Sequence, residues 1–111
     1  MQEESYSIWD FKKVTLGTEV TIYYNDFLVN LDIQISARQL STANSWTQIG
    51  TMSVGSDYAP NHHIFTVGNL ANLYFLIQSN GNVMYRNTGS TIPSGTYLNI
   101  NVTYPRKSAL P

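Results

Sequence analysis

Residues 26–37, DFLVNLDIQISA, constrain this chain more tightly than any other stretch. Phe27, Val29, Leu31, Ile33 and Ile35 alternate with Leu28, Asn30, Asp32, Gln34 and Ser36. That two-residue period belongs to a strand with one buried and one wetter face, whereas a helix would scatter the five apolar side chains around its circumference. Burying five such residues contributes about 1.5–3 kcal/mol each before chain entropy is subtracted. No other stretch alternates so consistently for so long, so a central strand is expected here, with these five residues facing the core.

The neighbouring segments extend the pattern. Residues 18–24, TEVTIYY, are β-branched and aromatic, as strands prefer, with Val20, Ile22 and Tyr24 on one face. Asn25 and Asp26 supply a turn, which makes a hairpin of 18–24 with 27–36. Residues 5–16 read as an edge strand or as a neck that packs against other copies of the chain, broken by Gly17. Residues 38–44 form a polar connection. Residues 45–52, SWTQIGTM, read as a strand with Trp46, Gln48 and Gly50 on one side and Thr47, Ile49 and Thr51 on the other. Residues 53–62 carry Gly55 and Pro60 and are expected to form a long surface loop.

Strands are next expected at 63–67, at 73–78 (apolar on both faces) and at 83–86. Between the last two, Ser79-Asn80-Gly81-Asn82 signals a hairpin, because Asn-Gly favours the primed turns. A second loop, 87–95, leads to a final strand, 97–104. There Leu98, Ile100, Val102 and Tyr104 alternate with Tyr97, Asn99, Asn101 and Thr103, and Pro105 ends the run. No helical period occurs. The expected fold is all-β, an antiparallel β-sandwich or a small jelly-roll-like barrel. Its expected organisation is an N-terminal neck or edge segment over 1–17, a β head over 18–104 and a C-terminal tail over 105–111.

Composition narrows the chemistry. The chain has 111 residues and fits one domain large enough to bury a core without staples. It has no cysteine, which removes disulfides and thiolate metal sites. A formal net charge of -1 gives no electrostatic footprint for nucleic acid. Only 12% of residues are charged, about half the usual share, and Asn, Ser and Thr supply the polarity instead. These groups suit turns, strand faces and contacts with neutral ligands such as sugars. The start, MQEESYSIWDFKK, lacks the apolar core of a signal peptide, and no apolar run approaches the ~18 residues that span a bilayer, so no membrane insertion is expected. The short lead-in before a Trp and a strand points to an excised terminal domain with an added start Met, a small natural protein being the alternative.

Catalytic patterns are missing. There is no Gly-x-Ser-x-Gly elbow and no phosphate-binding glycine motif. His62 and His63 are adjacent and in a strand would face opposite ways, so they cannot clamp one metal together. The acids Glu3, Glu4, Asp10, Glu19, Asp26, Asp32 and Asp57 show no partnership of the kind that glycoside hydrolysis needs. No enzyme activity, cofactor or metal is therefore expected. Binding features are better represented. Trp46, Tyr58, His62, His63, Tyr85 and Arg86 lie in or beside loops, and aromatic faces with hydrogen-bonding neighbours are what a sugar requires. Trp46 itself opens a strand, where an aromatic ordinarily belongs to the core.

Three segments together carry a family resemblance. They are Ser45-Trp46-Thr47-Gln48-Ile49-Gly50-Thr51-Met52 with Gly55 and Tyr58-Ala59-Pro60, then Ile77-Gln78-Ser79-Asn80-Gly81-Asn82-Val83, then the run from Ser94-Gly95-Thr96-Tyr97 through Tyr104. In this order and spacing the chain, over roughly residues 18–104, resembles the C-terminal head and baseplate domains of tail receptor-binding proteins of siphophages infecting Gram-positive bacteria. The resemblance implies a small β-barrel or jelly-roll-like head, usually homotrimeric, on the virion at the tail tip or baseplate. It would bind host cell-wall polysaccharide or teichoic acid and contact other tail proteins. Trp46, Ile49, Pro60, Gly81 and Gly95 match positions that define the fold of that family. Sugar-contacting residues vary within it, and the usual Leu-Pro after the Trp strand is Met52-Ser53 here. The candidate ligand contacts are therefore drawn from the loop residues themselves: Asp57, Tyr58, Asn61, His62 and His63, with Arg38, Tyr85 and Arg86 as neighbours. The alternative function is a baseplate scaffold domain that docks other tail proteins. Trp9, Phe11 and the 73–77 strand are the residues that could make a threefold contact or be ordinary core.

Overall fold

The computed structural model describes residues 11–36 and 38–107. Two four-stranded antiparallel sheets pack as a sandwich. The first contains β1 (Lys12–Leu16), β2 (Val20–Tyr24), β3 (Leu28–Ile35) and β8 (Leu98–Pro105), in the order β1-β2-β3-β8. The second contains β4 (Ala43–Ser53), β5 (Ile64–Val67), β6 (Leu73–Ile77) and β7 (Asn82–Asn87), in the order β4-β7-β6-β5. The second order is a Greek key: three hairpin-linked strands, with β4 beside β7. A short 3-10 turn, Ser56–Tyr58, is the single helical element among the described residues.

β3 is central, pairing with β2 on one side and along its whole length with β8 on the other. Val29, Leu31, Ile33 and Ile35 are fully buried. Phe27, expected with them, is 57% exposed. The cause lies in the preceding turn. Asn25 Oδ1 accepts hydrogen bonds from the amides of Phe27 and Leu28, each at 2.8 Å, so Phe27 stays in the turn and strand pairing starts after it.

The inward faces of both sheets close one core. Val20, Ile22, Leu98, Ile100 and Tyr104 join the β3 set from the first sheet. Ile49, Met52, Leu73, Phe75, Ile77, Val83 and Tyr85 come from the second. Two connections that read as polar or superficial also enter it. Leu40 is buried and bridges to Ile92 within the expected polar connection. In the expected surface loop, Val54 and Ala59 are fully buried and Pro60 is buried as well.

A break in β4 explains how that loop is drawn in. Thr47 pairs with Tyr85 and Gln48 with Met84, and then the register shifts before Ser53 meets Asn82. Gly50 adopts a left-handed φ of 55° in that interval. Such an irregularity changes which face later residues point to. Ile49 and Met52, three positions apart, are consequently both buried.

Asn87 is the buried polar side chain of the core. Its amide donates to the carbonyls of Ser90 (2.9 Å) and Leu40 (3.3 Å), and its Oδ1 accepts from the Gly89 amide. A buried amide with its partners in place ties the two long connections together, whereas one left unpaired would be costly.

The Asn-Gly hairpin forms with a different turn from the primed one expected. The Gly81 amide donates to Gln78 O, and Gly81 has φ 97° while Asn80 stays out of the left-handed region. This is the three-residue loop, an ordinary turn followed by a left-handed glycine. Gly81 is also packed tightly: a Cβ there would lie 2.9 Å from the backbone N and O of Gly55. Gly17, at φ 63°, has open space around it. Gly81→Ala should therefore destabilise the domain by about 2–4 kcal/mol, through backbone strain plus displacement of the 53–58 segment. Gly17→Ala should cost only the conformational part, about 1–2 kcal/mol. Thermal melts of the two variants test the difference, and equal losses would refute the packing argument.

Candidate ligand-binding site

The eight residues expected to contact a ligand fall in three separate places. The first is the 53–63 loop. Its buried Val54, Ala59 and Pro60 fix its path. The Tyr104 hydroxyl donates to the Tyr58 carbonyl, and the Tyr58 ring packs at a tilt on Tyr24 with centroids 4.9 Å apart. The Arg106 guanidinium lies 4.9 Å from the Tyr24 ring centre and 5.7 Å from that of Tyr58, and donates to Asn25 O at 3.1 Å. His63 Nδ1 accepts from the Ser79 amide at 3.2 Å, which leaves the proton of a neutral imidazole on Nε2. Tyr58 and His63 thus have structural work, while Asp57, Asn61 and His62 stand exposed on a pinned loop.

The second place is a notch of about 350 Å3 at the edge of the sandwich, lined by Arg38, Gln48, Gly50 and Tyr85. Arg38 is already engaged there. Its Nε reaches both Glu19 carboxylate oxygens, at 3.0 and 3.1 Å, and Nη2 reaches Oε1 at 2.8 Å. Glu19 raises the Arg38 pKa further above its ordinary value, chiefly through the hydrogen bond. The guanidinium also lies against Gly50, where a Cβ would collide with it. Tyr85 is buried on the inner face, its hydroxyl 3.4 Å from Ser41 Oγ.

The third place is the outer face of the second sheet, where Arg86 stands. Here the structure corrects the expectation for Trp46. The indole is not in the core. It is half-buried on the outer face and lines a cleft of about 490 Å3 with Phe65, Val67, Tyr74, Arg86 and Thr88. The cleft spans all four strands: Trp46 comes from β4, Arg86 from β7, Tyr74 from β6, and Phe65 and Val67 from β5, with Thr88 just past the end of β7. Register explains the grouping, since Val67 faces Tyr74 and Tyr74 faces Arg86.

The two edge strands send rings toward each other. Trp46 and Phe65 meet with centroids 5.8 Å apart and planes at 50°. Leu76 pairs with Phe65 and Met84, is only 5% exposed, and yet lies outside the main core cluster. Phe65, its cross-strand neighbour, belongs to the Trp46–Phe65 pair. What remains open is substantial, with Phe65 67%, Val67 62% and Tyr74 40% exposed. The result is a concave wall of aromatic carbon with one guanidinium, the geometry on which a sugar ring stacks while its hydroxyls are held from the side.

One sequence signal pointed to this face. Trp46 shares strand parity with Gln48 and opposes Ile49, so Trp46 and Ile49 could not both face the core. Phe65, Val67 and Tyr74 carried no comparable signal, because the pairing of β5 with β6 is what gathers them.

The acids are dispersed. Asp32 accepts from Asn99 (2.9 Å) and Gln34 (3.3 Å) on the outer face of the first sheet, and Glu19 is ion-paired. Asp26 lies in the β2–β3 turn and Asp57 in the 3-10 turn. Among the described residues no group of three His, Cys, Asp or Glu side chains comes together to hold a metal ion. No helix among them is long and apolar enough to cross a membrane. Phe11 lines a shallow cleft on the first sheet with Tyr23 and Leu28, and Trp9 lies outside the described residues.

No protein-family model matches the chain, and no curated protein matches it significantly.

The Tyr104–Tyr58 bond leads to a prediction about pH. Burial pushes the Tyr104 phenol well above its ordinary value. A raised folded-state pKa means that the neutral phenol stabilises the fold fully below the unfolded value of about 10, and that this contribution is lost as pH rises past it. The melting temperature should fall as pH rises above about 10. In Tyr104→Phe the fall should be shallower, from a neutral-pH stability lower by about 0.5–1.5 kcal/mol. Melts of both proteins across the alkaline range decide this, and parallel pH dependences would refute it.

Proposed function

We propose that this domain is the non-catalytic receptor-binding head of a phage tail protein, recognising host cell-wall polysaccharide or teichoic acid. One observation carries the reading: half-buried Trp46 and exposed Phe65 and Tyr74 form an aromatic wall on the second sheet, with Arg86 beside it. Soluble domains seldom leave such a wall bare without a partner for it. The low charge and the abundance of Asn, Ser and Thr suit contact with hydroxyl-rich polymers. The ordered set of Trp strand, Gly-Pro loop, Asn-Gly hairpin and Ser-Gly-x-Tyr strand adds the family resemblance. In this reading the domain sits on the virion at the tail tip or baseplate as a homotrimer. Weak single sites then sum through repetition, which raises avidity by about 10²–10⁴.

The baseplate scaffold is the second reading. It is favoured by the position of Phe65 and Val67 on an edge strand of the second sheet, where an apolar protein partner can dock.

Purified domain should bind isolated Gram-positive cell walls, and soluble wall glycan should compete. Binding should perturb Trp46 fluorescence in a Trp9→Phe background. Trp46→Ala should weaken wall binding by about tenfold or more while leaving the fold intact. No wall binding at millimolar glycan with the oligomer intact, together with capture of a neighbouring tail protein, would favour the scaffold instead.

A further inference from the structure

We infer that Asn80-Gly81 is a site of spontaneous main-chain rearrangement, held inactive by the folded β6–β7 hairpin until that hairpin opens. It is the chain's one Asn-Gly pair. Glycine after asparagine leaves its backbone nitrogen unshielded, because no Cβ stands beside it. In the reaction the Gly81 nitrogen loses its proton and bonds to Asn80 Cγ. The Cγ–Nδ2 bond breaks, ammonia leaves and a succinimide ring closes. Water then opens the ring at either carbonyl. Attack at Cγ yields aspartate. Attack at the main-chain carbonyl yields isoaspartate, whose main chain runs through Cβ and Cγ. Water is the co-reactant, and nothing is oxidised or reduced.

Asn80 is exposed, so water and base reach it. The atoms that must move are held. The Gly81 amide donates to Gln78 O at 2.8 Å, so the attacking nitrogen is engaged inside the turn. The Asn82 amide donates to Asn80 Oδ1 at 3.0 Å and fixes the side chain that would have to swing. Gly81 O accepts from the Val54 amide at 2.8 Å, and Gly81 is buried against Gly55. The turn is fastened from outside as well. The Ser79 amide donates to His63 Nδ1 at 3.2 Å, and Ser79 O accepts from Lys107 Nζ at 2.9 Å. Ring closure turns the Gly81 nitrogen toward Cγ and breaks its bond to Gln78. The reaction therefore runs through the opened hairpin, in proportion to the open population.

The two products differ in what they can close back into. Aspartate at position 80 keeps an oxygen for the Asn82 amide. Isoaspartate adds a carbon to the main chain of a loop whose ends are joined by Gln78 N to Asn82 O at 2.9 Å. It also displaces Gly81, which already lies too close to Gly55 to admit a methyl group. An opening that ends in isoaspartate is thus not undone by reclosing, and the hairpin records how often it has opened.

The test ages the purified protein in mildly alkaline buffer at physiological temperature and follows position 80 by peptide mapping and mass spectrometry. The native protein should convert more slowly than the urea-unfolded chain by about tenfold or more. His63→Ala and Lys107→Ala should each speed both conversion and solvent exchange of the Gly81 amide by about two- to tenfold, and Lys13→Ala on the first sheet should change neither. Asn80→Asp should melt close to the parent protein, and the isolated isoaspartate form should melt lower. No conversion at position 80 in the unfolded chain overturns the site. Equal rates in native and unfolded protein, or rates unmoved by His63→Ala and Lys107→Ala, overturn the restraint by the hairpin. An isoaspartate form that melts like Asn80→Asp overturns the irreversibility.

Discussion

The domain depends on a dry seam between two pleated faces. β3 contributes Val29, Leu31, Ile33 and Ile35 to it, and β6 contributes Leu73, Phe75 and Ile77, all almost completely removed from water. Neither sheet can bury its apolar face alone, so each requires the other. Once that seam is closed, the outward positions are free of the core's demands, and the two outer faces have diverged in character.

On the first sheet the outward positions form a self-satisfied polar array. Asn30 donates to Asn101 and Thr103, Asn99 donates to Asp32, and Gln34 donates to Asp32. On the second sheet the outer cleft is lined by aromatic and aliphatic side chains, with one arginine among them. A face whose polar groups already pair with one another has little left to offer a ligand. A face of open carbon, with a cation that has no partner among the described residues, does, and that contrast directs the functional reading to the second sheet.

The 53–63 loop shows the core reaching outward. Val54 and Ala59 enter the seam, Tyr104 holds the Tyr58 carbonyl, and Arg106 stacks across Tyr24 and Tyr58. Gly81 approaches Gly55 too closely to admit a side chain. The loop is thereby part of the scaffold, and its aromatic residue is used internally.

Strand existence was legible because the inward set of β3, the β-branched run of β2 and the alternation of β8 are each periodic over five or more residues. The hairpins at 25–27 and 78–81 were legible from Asn, Asp and Gly, although the turn geometry was decided by the strands that they join. Less could be read where a local pattern breaks. The irregularity near Gly50 lets Met52 and Val54 enter the core, and the Asn25 turn takes Phe27 out of it. The candidate site was least legible. Of the residues in the outer cleft, only Arg86 stood out as a ligand contact, since Phe65, Val67 and Tyr74 become neighbours of Trp46 only when four strands from different parts of the chain are set side by side. Periodicity along the chain thus determined that this polypeptide is all-β and antiparallel and which residues of its regular strands face inward, because burial acts on each strand by itself; that the sheets close as a sandwich was decided by their packing. Which aromatic side chains share a surface depends on strand order and register, and those were decided only when the sheets assembled.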